Sequence, residues 1–450
     1  MRSSTYHPAA DLVVLVPGFL GYEQLSSHPY FDEVLIDALR QALQARRHTT
    51  NQLSSQASRG ACFAVETLST VPAGSLLQRQ AAIVSELSEL LEHPSHFEVE
   101  RLHLIGHGTG GLDARLLLAD RRLDGRLWAR PENELRSRIR SVLCIAAPQH
   151  GTRLVAHPDL RALSRSLPRF LLQRASDAEL WSLATSGLRD MATADVLRLA
   201  LRRPAQAWSL VASIAEHDDL LRDLSPEAMV RHRHALPRLP NVQFGSIVTL
   251  AADHLELPAT PVRRGVFGRL DRYVREMRSS RAAPNARRGD PIFRWLRART
   301  ANPCWEVDDA SDARIEDRAA RRIQAVLEGG ADGLGVPLIS HPNAVWPCPV
   351  DGRVNDGIVN SVRQLLRPED DDELLAVVVA DHLDVVGHFD KVPRPRHAED
   401  HGLIRSGSGF SHEQLHAMCA LLAERIDSVR LLERADSGIV SSPPARAAAP

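Results

Sequence analysis

The segment Arg101-Leu-His-Leu-Ile-Gly-His-Gly-Thr-Gly-Gly-Leu-Asp-Ala-Arg115 is the most informative stretch of the sequence. A buried strand ends at the glycine-rich residues Gly106-His-Gly-Thr-Gly-Gly111, and a helix begins at once. Small residues on both sides of the central position permit a very tight strand-to-helix turn. The segment therefore predicts a sharp elbow with Gly108 at its tip.

Apolar runs alternate with stretches of helical periodicity on both sides of this elbow. The predicted strands are Asp11–Val16, Cys62–Leu68, Leu102–Ile105, Ile139–Ala147, Val242–Leu250 and Leu374–Val379, and the predicted helices are Phe31–Leu43, Leu76–Leu91, Leu112–Ala119 and Glu413–Glu433. Strands that alternate with helices imply right-handed crossovers. The predicted fold class is α/β, with a mainly parallel sheet and helices on both faces.

The same patterns divide the chain into a core and two insertions. Residues 1–153 and 241–434 supply the two parts of the core, because both contain the predicted strands. Residues 154–240 show helix-like segments without strands, which predicts a helical cap over one end of the sheet. An Arg-rich insertion spans 262–302, and a tail rich in Ser, Pro and Ala, 435–450, is expected to be disordered.

Composition excludes several classes of protein. The chain has 450 residues, with 55 Lys+Arg against 56 Asp+Glu, so a net charge of −1 gives no overall bias towards nucleic acid. A hydrophobic share of 44% excludes wholesale disorder. No apolar run reaches the roughly 18 residues of a spanning helix. The first ten residues lack the pattern of a secretory signal, so a cytoplasmic location is expected.

The cysteines do not indicate a metal site. Five of them are scattered along the chain without metal-type spacing. A Cys304–Cys348 pair and reduced thiols are both compatible with the sequence, and a cytosolic chain favours reduced thiols.

Four further stretches of the sequence bear on the function of the chain, and they follow one another in a fixed order. They are Val13-Val-Leu-Val-Pro-Gly-Phe-Leu-Gly21, Ala146-Ala-Pro-Gln-His-Gly-Thr152, Asn355-Asp-Gly-Ile-Val-Asn360 and Asp381-His-Leu-Asp-Val-Val-Gly387. With the elbow, they resemble bacterial lipases of the α/β-hydrolase fold. The resemblance is closest to thermophilic Bacillus-type lipases and looser to Pseudomonas/Burkholderia-type lipases. The stretch Asp223-Leu-Ser-Pro-Glu227 resembles the end of their cap.

This resemblance implies a set of site residues. Asp356 would orient His382, and His382 would be the general base, in the chain order that the fold requires. The backbone N–H groups of Phe19 and Thr109 would form the oxyanion hole. An ordinary Asp-Gly turn and an ordinary loop histidine are the simpler interpretations of each residue alone. Their joint occurrence in the expected order favours a functional pair.

The elbow departs from the family where the nucleophilic Ser should stand. Gly108 has no side chain and cannot attack an ester. Thr109 is a poor substitute, because the residue after the nucleophile points elsewhere, and Ser406 and Ser408 do not match an elbow. The strained elbow conformation costs a non-Gly residue roughly 1–3 kcal/mol, which Gly avoids. His382 could still activate a water for slow, direct hydrolysis.

The expected ligand is an ester or lipid, and no cofactor is required. Asp384 matches a carboxylate that binds structural Ca²⁺ in related lipases, although a solvated or helix-capping Asp is the simpler interpretation. His388 and Asp390 are not interpreted as zinc ligands. In the Arg-rich insertion, apolar residues of Val266–Met277 could line a helix that contacts anionic lipid, but a solvated surface helix is the favoured interpretation.

Three hypotheses of function follow. The first is a lipase- or esterase-like hydrolase with activity weakened or lost through Gly108. The second is a non-catalytic protein that keeps the pocket as an acyl-binding or scaffold site. The third is that Gly108 is a substitution made or acquired in an otherwise active enzyme.

Overall fold

The structure is a computed structural model of the chain. It describes residues 9–19, 24–25, 28–53, 62–71, 74–92, 98–156, 219–233, 241–252, 291–301, 310–329, 335–347, 349–368, 370, 373–389 and 408–436. Within that part of the chain, no helix is both long and apolar enough to cross a membrane.

The centre of the molecule is a parallel sheet. Its strands are β1 (Ala9–Val16), β4 (Cys62–Thr67), β5 (Glu98–His107), β6 (Ile139–Ile145), β7 (Gln243–Leu250), β8 (Leu338–Ile339) and β9 (Leu374–Val379). Their order across the seven-stranded sheet is β4-β1-β5-β6-β7-β9-β8, with every neighbouring pair parallel. Two short strands, β2 (Gln24–Leu25) and β3 (His28–Pro29), form a separate antiparallel ribbon.

Helices cover both faces of this sheet. They are α1 (Glu33–Leu53), α2 (Leu76–Glu92), α3 (Thr109–Leu116), α4 (Arg130–Ser137), α5 (Asp219–Asp223), α6 (Pro226–Arg233), α7 (Pro291–Ala301), α8 (Ala310–Leu327) and α9 (His412–Asp436). Because side chains alternate along a strand, Val13 and Leu15 of β1 join the core beneath α1 and α9. Leu12 and Val14 join the opposite core beneath α2 and α4. The predicted α/β-hydrolase fold is confirmed.

The predicted elements differ from the observed ones mainly at their ends. Helix α1 continues to Leu53, beyond its predicted end at Leu43, and α9 runs to Asp436, two residues into the predicted tail. Helices α4 and α8 were not predicted, and neither were strands β2, β3 and β8, which have two residues each and are too short to show a periodic pattern. The rest of the tail lies outside the described residues.

The described parts of the two insertions pack onto the core. Residues 157–218, most of the predicted cap, and the predicted lipid-contacting helix at 266–277 lie outside the described residues. Helix α7 at the end of the Arg-rich insertion is described, and its buried Phe293 packs against Gly357. Thr300 of α7 donates a hydrogen bond to the carbonyl of Gly357 at 3.0 Å. This end of the insertion therefore supports the loop that contains Asp356.

Candidate active site

The elbow is formed between β5 and α3. Gly108 adopts φ 55° and ψ −127°, outside the regions that residues with a side chain occupy easily. Its neighbours are held at close range, since a Cβ on Gly110 would lie 2.1 Å from the carbonyl oxygen of Val16 and 2.8 Å from that of Pro17. The expected sharp turn is present, and contacts between backbone segments hold it in place.

Gly108 differs from these neighbours in what surrounds it. A Cβ on Gly108 would lie 3.0 Å from Nε2 of His382 and 3.9 Å from the hydroxyl of Tyr30, and the nearest atoms around it belong to side chains. A side chain at this position would therefore point at the imidazole. The neighbouring glycines leave no room for a side chain, whereas position 108 has room for a small one.

His382 and Asp356 form a hydrogen-bonded pair. Nδ1 of His382 lies 2.9 Å from Oδ2 of Asp356, and the backbone N–H of His382 donates to the carbonyl of Asp356 at 3.0 Å. The Asp356 side chain is fully buried, and His382 is 7% exposed. Because a carboxylate oxygen accepts, Nδ1 donates to Asp356, and Nε2 faces the position over Gly108.

Further donors surround the Asp356 carboxyl group. Oδ2 accepts from the hydroxyl of Thr249 at 2.6 Å and from Nε2 of Gln364 at 3.3 Å. Oδ1 accepts from the backbone N–H groups of Ile358 and Val359 at 3.0 and 2.8 Å. Such a set of donors holds the carboxyl group in one orientation and thereby holds the imidazole.

Asp356 is positioned by β7, a strand that is distant from it in sequence. Asp356 follows the short edge strand β8 along the chain, but its partner Thr249 belongs to β7. The loop returns across the sheet, and the N–H of Ala251 at the end of β7 donates to the carbonyl of Asn355. Parallel strands present their carboxyl ends at one edge, so this loop meets His382, which follows β9, and the elbow, which follows β5.

A second histidine and a tyrosine, not identified from the sequence, fix the backbone of His382. Nε2 of His107 lies 2.7 Å from the carbonyl oxygen of His382, so it must be a donor. Burial and the nearby His382 hold the pKa of His107 well below its usual range. The ring is therefore neutral, and its Nδ1 accepts from the hydroxyl of Tyr30 at 2.7 Å.

The predicted oxyanion residues lie around Gly18 at the end of β1. A Cβ on Gly18 would lie 3.1 Å from the backbone nitrogen of Thr109, which places the loop of Phe19 directly over the first turn of α3. The backbone of Gly18 also hydrogen bonds to the hydroxyl of Tyr30, whose pKa burial raises. The hydroxyl of Thr109 is buried and has no hydrogen-bond partner among the described residues.

A buried ion pair lies beneath this loop. Arg79 of α2 donates to Oδ2 of Asp113 on α3 at 2.8 and 2.6 Å, and both side chains are fully buried. The same guanidinium donates to the carbonyl of Pro17 at 2.8 Å, next to Gly18. Despite Arg79, burial dominates and raises the pKa of Asp113. The pair ties the loop that begins at Pro17 to helix α3, and apolar periodicity in the sequence gave no signal for this contact.

The residues considered for a metal have other partners. Oδ2 of Asp384 accepts from the hydroxyl of Ser408 at 2.7 Å and from the N–H of Asp381 at 3.0 Å. His388 donates from Nε2 to the carbonyl of Tyr30 at 3.0 Å. Among the residues that the structure describes, no group of three or more His, Cys, Asp or Glu side chains is arranged to hold a metal ion. Ser406 and Asp390 lie outside the residues that the structure describes.

Comparisons with solved structures find bacterial lipases and esterases at low sequence identity. The chain is similar to the esterase EstA from Clostridium botulinum, with 16% identity, a TM-score of 0.43, and coverage of 94% of this chain and 89% of that one. Staphylococcus hyicus lipase has 13% identity, a TM-score of 0.47 and coverage of 96% and 98%. Lipase 1 from Pelosinus fermentans has 13% identity, a TM-score of 0.45 and coverage of 93% and 99%.

No model of a known protein family matches the chain. No curated protein matches it either. Because one fold hosts many chemistries, function has to be argued from the residues of the site.

Proposed function

We propose that the chain is a lipase- or esterase-like α/β hydrolase that recognises carboxylic esters and has lost the acyl-transfer step through Gly108. The single observation behind this proposal is the position of His382. Its Nε2 lies 3.0 Å from the point where a Cβ of residue 108 would stand. A base paired with a buried carboxyl group, and turned towards an elbow, is the arrangement that activates a hydroxyl nucleophile.

The remaining groups allow slow chemistry at most. Asp356 holds the imidazole, the N–H groups of Phe19 and Thr109 stabilise an oxyanion, and His382 takes a proton from a water that attacks the ester carbonyl. The water adds to carbon, the alkoxide leaves with the proton from His382, and no acyl-enzyme forms. Triads that lack a member keep an acceleration of about 10³–10⁴ over water. We expect hydrolysis by this chain to stay near that level.

The test is Gly108→Ser, assayed with p-nitrophenyl butyrate. Ser Oγ would extend one bond beyond Cβ, within hydrogen-bonding distance of Nε2 after a shift of a few tenths of an ångström. We expect hydrolysis to rise by several orders of magnitude, together with covalent labelling by an organophosphonate. The matched control is Gly125→Ser, at an exposed turn residue with φ 81° and no atom within 4 Å of its added Cβ.

Three outcomes of this test either support or contradict the proposal. A folded Gly108→Ser variant that stays inactive contradicts the proposal. Rapid turnover and organophosphonate labelling of the unaltered chain would reveal a nucleophile elsewhere, and would contradict it as well. A large gain of activity in the Gly108→Ser variant alone supports the proposal, whether Gly108 arose naturally or by design.

A second candidate function is a non-catalytic acyl-binding protein. It is favoured by the complete absence of a side chain at the elbow, while Asp356 and His382 keep their geometry. This candidate predicts that the unaltered chain binds acyl ligands and turns over no ester above the rate in buffer.

A further inference from the structure

The space over Gly108 is bounded by polar groups. The backbone nitrogen of Thr109 begins α3, and the first N–H groups of a helix attract anions. His382 turns Nε2 towards the same place, and Nε2 has no hydrogen-bond partner among the described residues although the side chain is more than nine-tenths buried. The hydroxyl of Tyr30 also borders this space, 3.9 Å from the position of a Cβ on Gly108.

The absence of a side chain at position 108 leaves room for an oxygen atom of a ligand beside Nε2 of His382. In an acyl-enzyme, the ester group bound at an elbow consists of a carbonyl oxygen, a carbon and the serine Oγ. A free carboxylic acid has the same three atoms, but its second oxygen belongs to the ligand. With Gly at position 108, that oxygen can lie beside Nε2 of His382 without meeting a Cβ. The first oxygen then lies at the N–H groups of Phe19 and Thr109.

The charges of the site also suit an acid. Nδ1 of His382 donates to Asp356, so Nε2 can carry a proton taken up from solvent when a carboxylate binds. The bound state then has a carboxylate, an imidazolium and the Asp356 carboxylate in one row, with each negative charge next to the positive one. Neighbouring His107 is neutral and adds no competing charge. An alcohol of the same length offers only one oxygen and no negative charge.

We infer that the unaltered chain binds monocarboxylic acids with an apolar tail at Gly108, with the carboxyl group between His382 and the first turn of α3. The tail would leave past Phe19, a large apolar side chain that is 38% exposed beside the site. This inference rests on the proposed function, because it uses the same groups, and it specifies their ligand as the acid rather than the ester.

The experiment is calorimetric titration of the full chain with sodium octanoate and, separately, with 1-octanol. We expect octanoate to bind at least about tenfold more tightly than 1-octanol. Gly108→Ser should weaken octanoate binding at least tenfold, because its Oγ occupies the place of the second carboxyl oxygen. Gly125→Ser should bind octanoate like the unaltered chain.

His382→Gln provides an independent variant in case Gly108→Ser does not fold. It removes Nε2, so the preference for octanoate over 1-octanol should disappear, with folding checked by circular dichroism. Equal affinity for both ligands, or octanoate binding that Gly108→Ser leaves unchanged, would refute the inference. A Gly108→Ser variant that hydrolyses p-nitrophenyl butyrate, in a chain that ignores octanoate, would refute this inference and leave the proposed function standing.

Discussion

The two halves of the site are built in opposite ways. In the acid–base half, Asp356 is fully buried and accepts hydrogen bonds from side chains and from the backbone, and His382 is held from both its ring and its carbonyl. In the elbow half, Gly108 has a positive φ and no side chain. A buried polar network is costly unless its members are paired, so the first half depends on many partners. The second depends on backbone packing alone, so the turn needs no side chain at position 108.

The largest expected effect tests whether the two halves work together. In the Gly108→Ser background, Asp356→Asn should lower kcat for p-nitrophenyl butyrate by about 10⁴-fold, because an amide at this position favours the wrong tautomer of the histidine. Steady-state kinetics measure the loss. The control is Asp351→Asn, a partly exposed carboxylate in the same loop that pairs with Arg353. Equal activity of the Asp356 and Asp351 variants would show that the pair is only structural.

The next effect separates Gly108 from its neighbours. Gly110→Ala would drive a Cβ into the carbonyl oxygen of Val16, and backbone cannot move aside as a flexible side chain can, so we expect a loss of at least about 4 kcal/mol or failure to fold. Gly108→Ala should cost only about 1–3 kcal/mol, mainly from its positive φ. Ala146, with φ 52°, shows that an alanine at positive φ is tolerated nearby. Urea unfolding measures both, and equal losses would contradict the distinction.

The buried carboxyl group of Glu373 lies at the opposite end of β9 from His382, and its pH dependence gives a further comparison with the site. An acidic run such as 369–373 predicts a solvated loop, but Glu373 is 3% exposed and accepts from the N–H groups of Leu366 and Arg367. Burial raises the pKa of Glu373 from 4.5 to about 7, and the hydrogen bonds offset only part of the shift.

The direction of the resulting pH dependence follows from proton binding. Because the folded state binds the proton more tightly, the free energy of unfolding should fall as pH rises from about 4.5 to about 7, by at most about 3 kcal/mol. Glu373→Gln should flatten this slope. Urea unfolding at several pH values measures it, and an unchanged slope in the variant would assign the dependence to other groups.

Sequence patterns predicted the parts of this molecule that depend on local spacing. The strands that build the sheet centre, the elbow at Gly108 and the loops of Asp356 and His382 all have local patterns in the chain. Contacts between distant segments have no such pattern. Arg79, for example, lies on an apolar-patterned helix, and nothing nearby in sequence shows that it binds Asp113 and Pro17. The contact between Asp356 and Thr249 of β7 has no sequence signal for the same reason, since the short strand β8 lies between the two residues in the chain.

Tyr30 gives the smallest expected effect and connects the two halves directly. Its hydroxyl donates to Nδ1 of His107, which holds the carbonyl of His382, and it also hydrogen bonds to the backbone of Gly18 beside the elbow. Tyr30→Phe removes both bonds and leaves their partners unsatisfied, at a cost of about 1–2 kcal/mol.

If the hydroxyl only stabilises the fold, the Tyr30→Phe variant in the Gly108→Ser background should lose thermal stability and keep kcat per folded molecule. We instead expect kcat to fall about tenfold with KM nearly unchanged, because a looser His382 is misplaced for proton transfer and not for ester binding. Kinetics well below the unfolding temperature separate the two outcomes. A loss confined to stability would mean that the elbow and the acid–base half are aligned by the sheet alone.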